Sequence, residues 1–286
     1  MKTLLVWYEW SGFAVQIKNH IIDALDELQI EYKECYIEQL GEVSNSFTPT
    51  MTIHFHPDKK IYDYLGLIDQ TKGHKLLWQM EDPYESDLTF DALLHFYYIF
   101  TSDENTADQL KKENKGNNIQ FVPHACNPKV HRPEEVSWEY KSDICFIGNA
   151  YESRLKFLQD HAEEYKSKLF RLVGVGYRGL DGYQNQHIIH GHINEETMVR
   201  YINGTKFALN LHRQNSDLDM ANNRNIQPKG MNNRFYEIWA CGKTQLVWGR
   251  GENFTWDRDY KEAHKDHSYK QRLIEHYLPL LKGIGK

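Results

Sequence analysis

The sequence predicts an α/β protein made of two Rossmann-like domains, and two observations carry this prediction. Short apolar runs typical of strands alternate with amphipathic helical stretches along most of the chain, which indicates parallel sheets covered by helices. The alternation stops at a proline-punctuated stretch, residues 123–135, and then starts again. Because 286 residues suffice for two ordinary domains, we place them at 1–133 and 134–286, facing a central cleft. This prediction allows the last helix to pack against the first domain.

The first domain shows six strand patterns and three helical patterns. Strands are predicted at 3–8, 31–36, 50–55, 75–80, 96–101 and 119–122, and helices at 13–28, 59–68 and 104–114. Gly12 separates the first strand from the first helix, where it would let the backbone approach a ligand closely.

The second domain repeats the pattern. Strands are predicted at 142–148, 169–175, 186–190, 207–211 and 244–248, and helices at 152–165, 194–202 and 266–281. A short further helix is predicted to begin after Asn232 or Asn233 and to end before Gly242, which suits a left-handed position.

The composition excludes several classes of protein. The sequence has 40% hydrophobic and 26% charged residues, an ordinary globular mix. Its net charge of −6 argues against a protein whose main ligand is nucleic acid, although it does not exclude a local basic groove. Cys35, Cys126, Cys145 and Cys241 form no CxxC pair, so we expect reduced thiols rather than a zinc site. The N-terminus is too short and polar for a signal peptide, and no apolar run is long enough for a membrane span, so we expect a cytoplasmic protein.

Two strand-to-helix junctions of the second domain are suited to phosphate. In residues 146–158 a strand runs through Gly148 into a helix that carries Arg154. In residues 230–242 Arg234 and Glu237 lie on one side of a helix, near its first turn. Helix N-termini with basic side chains favour a phosphate or ribose ligand, whereas the plainer interpretation is a solvated arginine and a surface ion pair.

Acidic residues end the fourth strand of the first domain. Glu81 and Asp82 belong to the run EDPY at 81–84, where a carboxylate can orient a hydroxyl or act as a base. A turn or helix cap next to Pro83 is the competing interpretation.

Other motifs are weaker. The formal GxGxxG at Gly174, Gly176 and Gly179 is followed by no convincing helix, and a strand end with tight turns is the better interpretation. The remaining pairs are His54/His56, His190/His192, Asp217/Asp219 and Asp257/Asp259, any of which could touch a metal. We expect no metal site, and we expect the aspartates to be solvated loop acids.

Taken in order along the chain, these stretches resemble the CgeB-like (spore-maturation type) glycosyltransferases. The resemblance is carried by EDPY at 81–84, PHACNPKVHRP at 123–133, DICFIGNAYESR at 143–154, His190-Gly191-His192, FALNLHR at 207–213 and GMNNRFYEIWACG at 230–242. It implies a GT-B fold and transfer of a sugar from a nucleotide-diphosphate donor, with retention and without a metal or other cofactor.

The resemblance also implies roles for individual residues. Residues expected to hold the donor, which could be a UDP-sugar, are Gly148, Arg154, Gly191, Asn210, Arg234 and Glu237, with Glu237 on the ribose hydroxyls. Those expected at the reacting centre are Asp82, Glu81 and His212, and those on the acceptor or sugar side are Gly12 and His124. Lys229 stands where related enzymes often have a glutamate, and the segment between Val247 and His267 is short.

Two other functions remain open from the sequence. These departures also fit a catalytically silent nucleotide-sugar-binding protein. A sugar transferase acting on modified viral DNA is a third reading, disfavoured by the acidic net charge. The sequence identifies neither the donor base, the sugar nor the acceptor.

Overall fold

The computed structural model describes residues 1–8, 12–113, 118–178, 180, 186–217 and 221–284. The chain divides into two compact units. Unit 1 comprises Met1–His124, Met220–Gly230 and Tyr269–Lys286, and unit 2 comprises Ala125–Asp219 and Met231–Ser268. The sequence placed a boundary after Pro133. In the structure the stretch before Pro133 packs within unit 2, where Asn203 Nδ2 donates to the carbonyl of Arg132 at 3.0 Å.

Unit 1 is built on a six-stranded sheet. Its strands are β1 (Lys2–Trp7), β2 (Glu31–Tyr36), β3 (Met51–Phe55), β4 (His74–Gln79), β5 (Tyr98–Thr101) and β6 (Asn118–Phe121). They lie in the order β2-β1-β3-β4-β5-β6 and all pair in parallel. The central strand β1 is buried from Leu4 to Trp7, because a parallel sheet is covered on both faces and its inner strands therefore need continuous apolar sequence.

The helices of unit 1 lie between and after these strands. They are α1 (Gly12–Glu27), α2 (Leu40–Phe47), α3 (Leu65–Gln70), α4 (Glu104–Lys112) and, near the chain's end, α10 (Tyr269–Arg272) and α11 (Leu278–Ile284), joined by a π-helical turn at Leu273–Tyr277. The predicted helix at 59–68 is instead a 3₁₀ segment, Lys59–Tyr64, followed by α3. The closing helical segment packs on unit 1, because Tyr277 Oη bonds Thr3 Oγ1 at 2.5 Å and Arg272 Nε donates to the Pro123 carbonyl at 3.1 Å.

Unit 2 holds a second six-stranded sheet. Its strands are β7 (Ser142–Ile147), β8 (Phe170–Gly174), β9 (Gln186–His190), β10 (Thr205–Leu211), β11 (Gln245–Trp248) and β12 (Phe254–Trp256). The order is β12-β11-β10-β7-β8-β9, parallel except for β12, which pairs antiparallel with β11. The sequence missed β12, a three-residue strand whose Trp256 packs on Phe235 and Trp239 of a neighbouring helix.

The helices of unit 2 are α5 (Glu152–Asp160), α6 (Ala162–Tyr165), α7 (Glu195–Gly204), α8 (Asn233–Ala240) and α9 (Tyr260–Asp266). Side chains cap the N-termini of α7, α8 and α9. Asn232 caps α8 and Gly242 has φ +68°, as the sequence predicted. The helix predicted at 152–165 breaks at His161, and α9 was missed, although Asp259 caps it by accepting from the Lys261 amide.

All four cysteines are buried thiols. Within the part of the chain that the structure describes, no helix combines the length and the apolar composition of a membrane span.

Candidate functional site

The strand order of unit 2 identifies where a ligand should bind. The chain runs from β7 outward to β8 and β9, and then returns to place β10 on the other side of β7. In sheets of this kind ligands bind outside the carboxyl ends of the strands where the direction of winding reverses. That point lies after Ile147 of β7 and after Leu211 of β10. It brings together the two sequence stretches 148–154 and 212–217.

Guanidinium groups meet an aromatic ring at this point. The guanidinium of Arg154 lies 4.9 Å from the ring centroid of Tyr151, and that of Arg213 lies 4.6 Å from the same centroid. Arg154 Nη1 also donates to the Asn149 carbonyl at 2.9 Å. Arg250, which follows β11, donates to the Gly249 carbonyl at 2.7 Å and to the Arg213 carbonyl at 3.4 Å. Three positive charges therefore gather at the carboxyl ends of β7, β10 and β11.

Glycines shape the turn under these side chains. The amide of Gly148 donates to the Val173 carbonyl at 2.9 Å, and its own carbonyl accepts from Tyr177 Oη at 2.7 Å. Gly174 has φ +142°, and a Cβ there would stand 2.1 Å from the Gly148 oxygen. Gly191 has φ +109° with open space around its Cβ direction. Gly174 and Gly176 thus belong to tight turns, whereas Gly179 lies outside the described residues.

The carboxyl group of Asp217 bonds the N-terminal turn of α5, a contact that the sequence did not predict. Asp217 is 4% exposed. Its carboxylate accepts from the Ser153 amide and from Ser153 Oγ, each at 2.8 Å, and from the Gln214 amide at 2.8 Å. The expectation of a solvated loop acid was wrong for Asp217, because the loop after β10 folds onto α5; Asp219 lies outside the described residues. This carboxylate fixes the loop that carries Arg213.

Glu237 and Arg234 form an ion pair on α8, in which the glutamate is buried and the arginine is partly exposed. Glu237 Oε2 accepts from Arg234 Nη1 at 2.5 Å, and Glu237 Oε1 accepts from Asn233 Nδ2 at 2.8 Å. Arg234 also contacts the sulfur of Met198 and lines a cavity of about 10 Å³. The glutamate side chain is buried. Thus two of the three charged residues that the sequence assigned to the donor, Arg234 and Glu237, contact each other in this structure.

Asn210 and His212, two further predicted residues, are buried. Asn210 is 1% exposed and its side-chain amide is bonded to Gln245 and Asn232. His212 is fully buried directly after β10, and its amide donates to the Trp248 carbonyl at 3.0 Å. Both are buried because β10, which carries Asn210 and ends directly before His212, lies inside the sheet between β7 and β11.

The acidic residues predicted in unit 1 follow β4. Asp82 is 8% exposed, and its Oδ2 accepts from Thr101 Oγ1 at 2.5 Å. Burial, reinforced by the carboxylates of Asp103 and Glu85, raises the pKa of Asp82 to about 7, although the Thr101 hydrogen bond acts in the opposite direction. Glu81 is half-buried, and its carbonyl accepts from the Glu85 amide. A carboxyl group with such a pKa can gain or lose a proton near neutrality.

The other predicted residues of unit 1 have structural contacts. Gly12 begins α1. His124 is buried, and its carbonyl accepts from Arg272 Nη2 at 3.4 Å. Lys229 is exposed and pairs with Glu104 at 2.7 Å, so in unit 1 it is held by α4.

Both histidine pairs were weighed as possible metal ligands. His54 Nδ1 bonds the Tyr8 hydroxyl at 2.8 Å, and burial lowers the pKa of His54 to about 3. His56 lies 3.6 Å from Glu85. His190 and His192 are exposed at the end of β9.

Sequence reasoning missed Tyr151, Arg213, Arg250 and Asp217 as parts of this site. A usable signal existed for Arg213, since it directly follows the predicted strand at 207–211. Ligands bind at the carboxyl ends of the strands where the winding reverses, and this rule applied to β7 and β10 selects Arg213 together with Arg154. Asp217 carried no such signal, because a loop aspartate gives no indication of the helix it caps.

Comparison with known proteins agrees with this architecture. Residues 154–278 match the family model described as "Glycosyl transferase-like". The spore protein CgeB of Bacillus subtilis (strain 168) is 24% identical over 208 residues, which cover 71% of this chain and 64% of that protein. The chain therefore spans about two thirds of the length of this curated relative.

Solved structures show a similar fold at low identity. AviGT4, a glycosyltransferase involved in avilamycin A biosynthesis, superposes with a TM-score of 0.59 and 13% identity, covering 99% of this chain and 98% of that chain. The UDP-GlcNAc 2-epimerase of Neisseria meningitidis, solved with UDP-GlcNAc bound, superposes with a TM-score of 0.55 and 12% identity, covering 99% and 92%. The chain thus has the GT-B fold of two Rossmann-like domains, carries a glycosyl transferase-like region and is similar to the CgeB-like glycosyltransferases.

Proposed function

We propose that this protein is a glycosyltransferase that moves a sugar from a nucleoside-diphosphate sugar to an acceptor hydroxyl, with the donor held by unit 2. The observation that carries the proposal is that the guanidinium groups of Arg154 and Arg213, which come from the segments after β7 and β10, meet at the winding reversal. The match of residues 154–278 to a glycosyl transferase-like family supports it. So does the UDP-GlcNAc bound to a protein of similar fold.

The chemistry asks the protein mainly to stabilise charge. The bond between the anomeric carbon and the diphosphate oxygen breaks, and a bond from that carbon to the acceptor oxygen forms while the acceptor loses its proton. Negative charge grows on the diphosphate, which Arg154, Arg213 and Arg250 are placed to stabilise. Fixed arginines can replace a cation here, so independence of a metal is part of the proposal. The proposal also includes retention of the anomeric configuration, because the chain resembles the CgeB-like glycosyltransferases.

The acceptor side is proposed to involve unit 1. Asp82 combines burial, a hydroxyl partner and a pKa of about 7, so it can accept a proton from the acceptor hydroxyl near neutral pH. Glu81 is the neighbouring candidate for orienting that hydroxyl. We expect loss of the Asp82 carboxylate to lower turnover more than donor binding.

Donor binding is tested by titration calorimetry with UDP, GDP, ADP, CDP and TDP, and then with sugars of the nucleotide that binds. Arg154→Gln should weaken binding of that nucleoside diphosphate about 10- to 100-fold, because a hydrogen bond to a charged group contributes about 1.5–3 kcal/mol. Arg171→Gln is the matched control. Arg171 also donates to a backbone carbonyl, that of Lys141, and lies over a tyrosine ring, that of Tyr201, but it sits near the amino end of β8.

Equal affinity in Arg154→Gln and the wild type would refute the assignment of the donor site. Catalysis is read from release of the nucleoside diphosphate and from the anomeric configuration of the product by NMR. Binding without transfer or donor hydrolysis would identify the catalytically silent protein. Conversion of UDP-GlcNAc to its C2 epimer would identify an epimerase, and tight binding to DNA at low salt would favour the DNA-directed transferase.

A further inference from the structure

A closed ring of hydrogen bonds lies beneath the first turn of α8. The Phe235 amide donates to Asn232 Oδ1 at 3.0 Å, and Asn232 Nδ2 donates to Asn210 Oδ1 at 2.9 Å. Asn210 Nδ2 donates to Gln245 Oε1 at 3.0 Å, and Gln245 Nε2 donates to the Phe235 carbonyl at 2.9 Å. The ring therefore starts and ends on the backbone of one helical residue.

The direction of this ring is fixed by its ends. A backbone amide can only donate and a backbone carbonyl can only accept, so each of the three side-chain amides must point its oxygen toward the Phe235 N–H end and its nitrogen toward the carbonyl end. Asn210 and Gln245 are 1% and 0% exposed. A buried network of this kind is strong when every member is satisfied and costly when one is missing.

The ring joins three elements of unit 2. Asn232 caps α8, Asn210 belongs to β10 and Gln245 begins β11. The apolar side of α8 packs on Val247 of the sheet, and such apolar contacts are not directional. Hydrogen bonds of 2.9–3.0 Å are directional, so the ring fixes the position of α8 on the sheet more narrowly.

We propose that Asn210, Gln245 and Asn232 are positioning residues for the donor site, holding the first turn of α8 at a set height over β10 and β11. That turn carries Asn233 and Arg234, the two residues that hold the Glu237 carboxylate. This inference rests on the proposed function, since it assigns the ring to placement of the helix against a nucleoside diphosphate. Asn210 then acts through α8 rather than by touching the donor.

The test distinguishes the two roles of Asn232, which caps α8 and also belongs to the hydrogen-bond ring. In Asn232→Ser the hydroxyl can still accept from the Phe235 amide, but the donor to Asn210 is lost. Asn194→Ser is the matched control, because Asn194 caps α7 in the same way, by accepting from the Thr197 amide at 2.9 Å. Each variant is measured for its melting temperature and, well below that temperature, for the Kd of UDP, GDP, ADP, CDP and TDP by calorimetry.

We expect both variants to melt at slightly lower temperature, and Asn232→Ser alone to weaken binding of the cognate diphosphate roughly tenfold, since small misplacements of a binding group are costly. Gln245→Met, which breaks the ring from β11 without adding charge, should weaken binding as much. The double variant Asn232→Ser/Gln245→Met should lose little more than either single variant, because the ring acts as a unit.

A lowered melting temperature with wild-type Kd in both single variants would show that the ring only stabilises the fold, and would overturn the inference. Additive losses in the double variant would also overturn it. If the proposed function is wrong, the wild-type protein will bind none of the five diphosphates. That result would refute this inference as well, because the inference rests on the proposed function.

Discussion

Replacing Asp82 by Asn should make the protein more stable at pH 8, although it removes an existing side-chain charge. The carboxyl group of Asp82 is 8% exposed. Its pKa is raised to about 7 by burial and by the neighbouring carboxylates of Asp103 and Glu85. The folded state therefore holds an ionised Asp82 at a cost above neutral pH. Asparagine keeps the shape and an oxygen that can accept from Thr101 Oγ1, but it needs no ionisation.

The size and sign of the effect follow from proton linkage. Below about pH 4 the carboxyl is protonated in both states and costs nothing. As pH rises from 4 to 7 the unfolded chain releases the proton while the folded protein keeps it, so stability falls, and above pH 7 the loss is complete. A rise of the pKa from 3.8 to about 7 corresponds to at most about 4 kcal/mol at pH 8, and to about 2 kcal/mol at pH 5.

The assay is urea unfolding of both proteins at pH 5, 6, 7 and 8, with nucleotide affinity and turnover measured at pH 8. Asp82→Asn should gain stability over the wild type as pH rises to 7, and the gain should then level off. If Asp82 accepts the acceptor proton, turnover falls while the Kd of the nucleotide stays unchanged.

A variant that is less stable than the wild type at pH 8, or a difference that does not vary with pH, would refute the reasoning about burial. Unchanged turnover per folded molecule would refute the catalytic role and leave Asp82 as a turn residue.

Four further outcomes are expected. Asp217→Asn should destabilise by about 1–2 kcal/mol in urea unfolding, because it weakens the cap on the Ser153 amide, and an unchanged midpoint would contradict this. Glu237→Gln should lower both nucleotide affinity and stability, the latter by about 1.5–3 kcal/mol, since it removes the charge from an ion pair whose glutamate is buried and whose arginine is 19% exposed; wild-type affinity would exclude a donor role. Gly174→Ala should lower the melting temperature and nucleotide affinity, because the new Cβ would meet the Gly148 oxygen at 2.1 Å, and normal values for both would show that the turn adjusts. Calorimetric affinity for the cognate diphosphate should survive EDTA, and loss that magnesium or manganese restores would place a cation at the site.

The α/β class, most of the strands and several helix ends can be predicted from the sequence alone. Central strands such as β1 and β3 are recognisable because both faces are buried, which demands continuous apolar sequence. The start of α8 after Asn232 and its end before Gly242 follow from local chemistry, an amide that caps and a residue without Cβ at positive φ. These features depend on neighbours within a few positions, so they can be predicted from one sequence.

The sequence also selected part of the candidate donor site. Gly148 directly follows β7 and Arg154 lies in the first turn of the next helix, and the carboxyl ends of parallel strands are where ligands bind. Arg234 and Glu237 were found as neighbours on one helix, and the structure pairs them at 2.5 Å. Spacing along a helix fixes such a contact, whereas it does not decide whether the pair faces a ligand or the interior.

Which distant stretches of the chain meet is known only from the three-dimensional fold. It brought Arg213 beside Tyr151, buried Asp217 against α5, and closed the ring through Asn210 and Gln245. It also placed residues 221–230 in unit 1, where Asp103 Oδ2 accepts from the Lys229 amide. Hydrophobic periodicity reports that a residue is buried but not what buries it, and a polar loop residue gives no sign of its partner. Contacts between stretches 20 to more than 100 residues apart depend on strand order, which these local patterns do not encode.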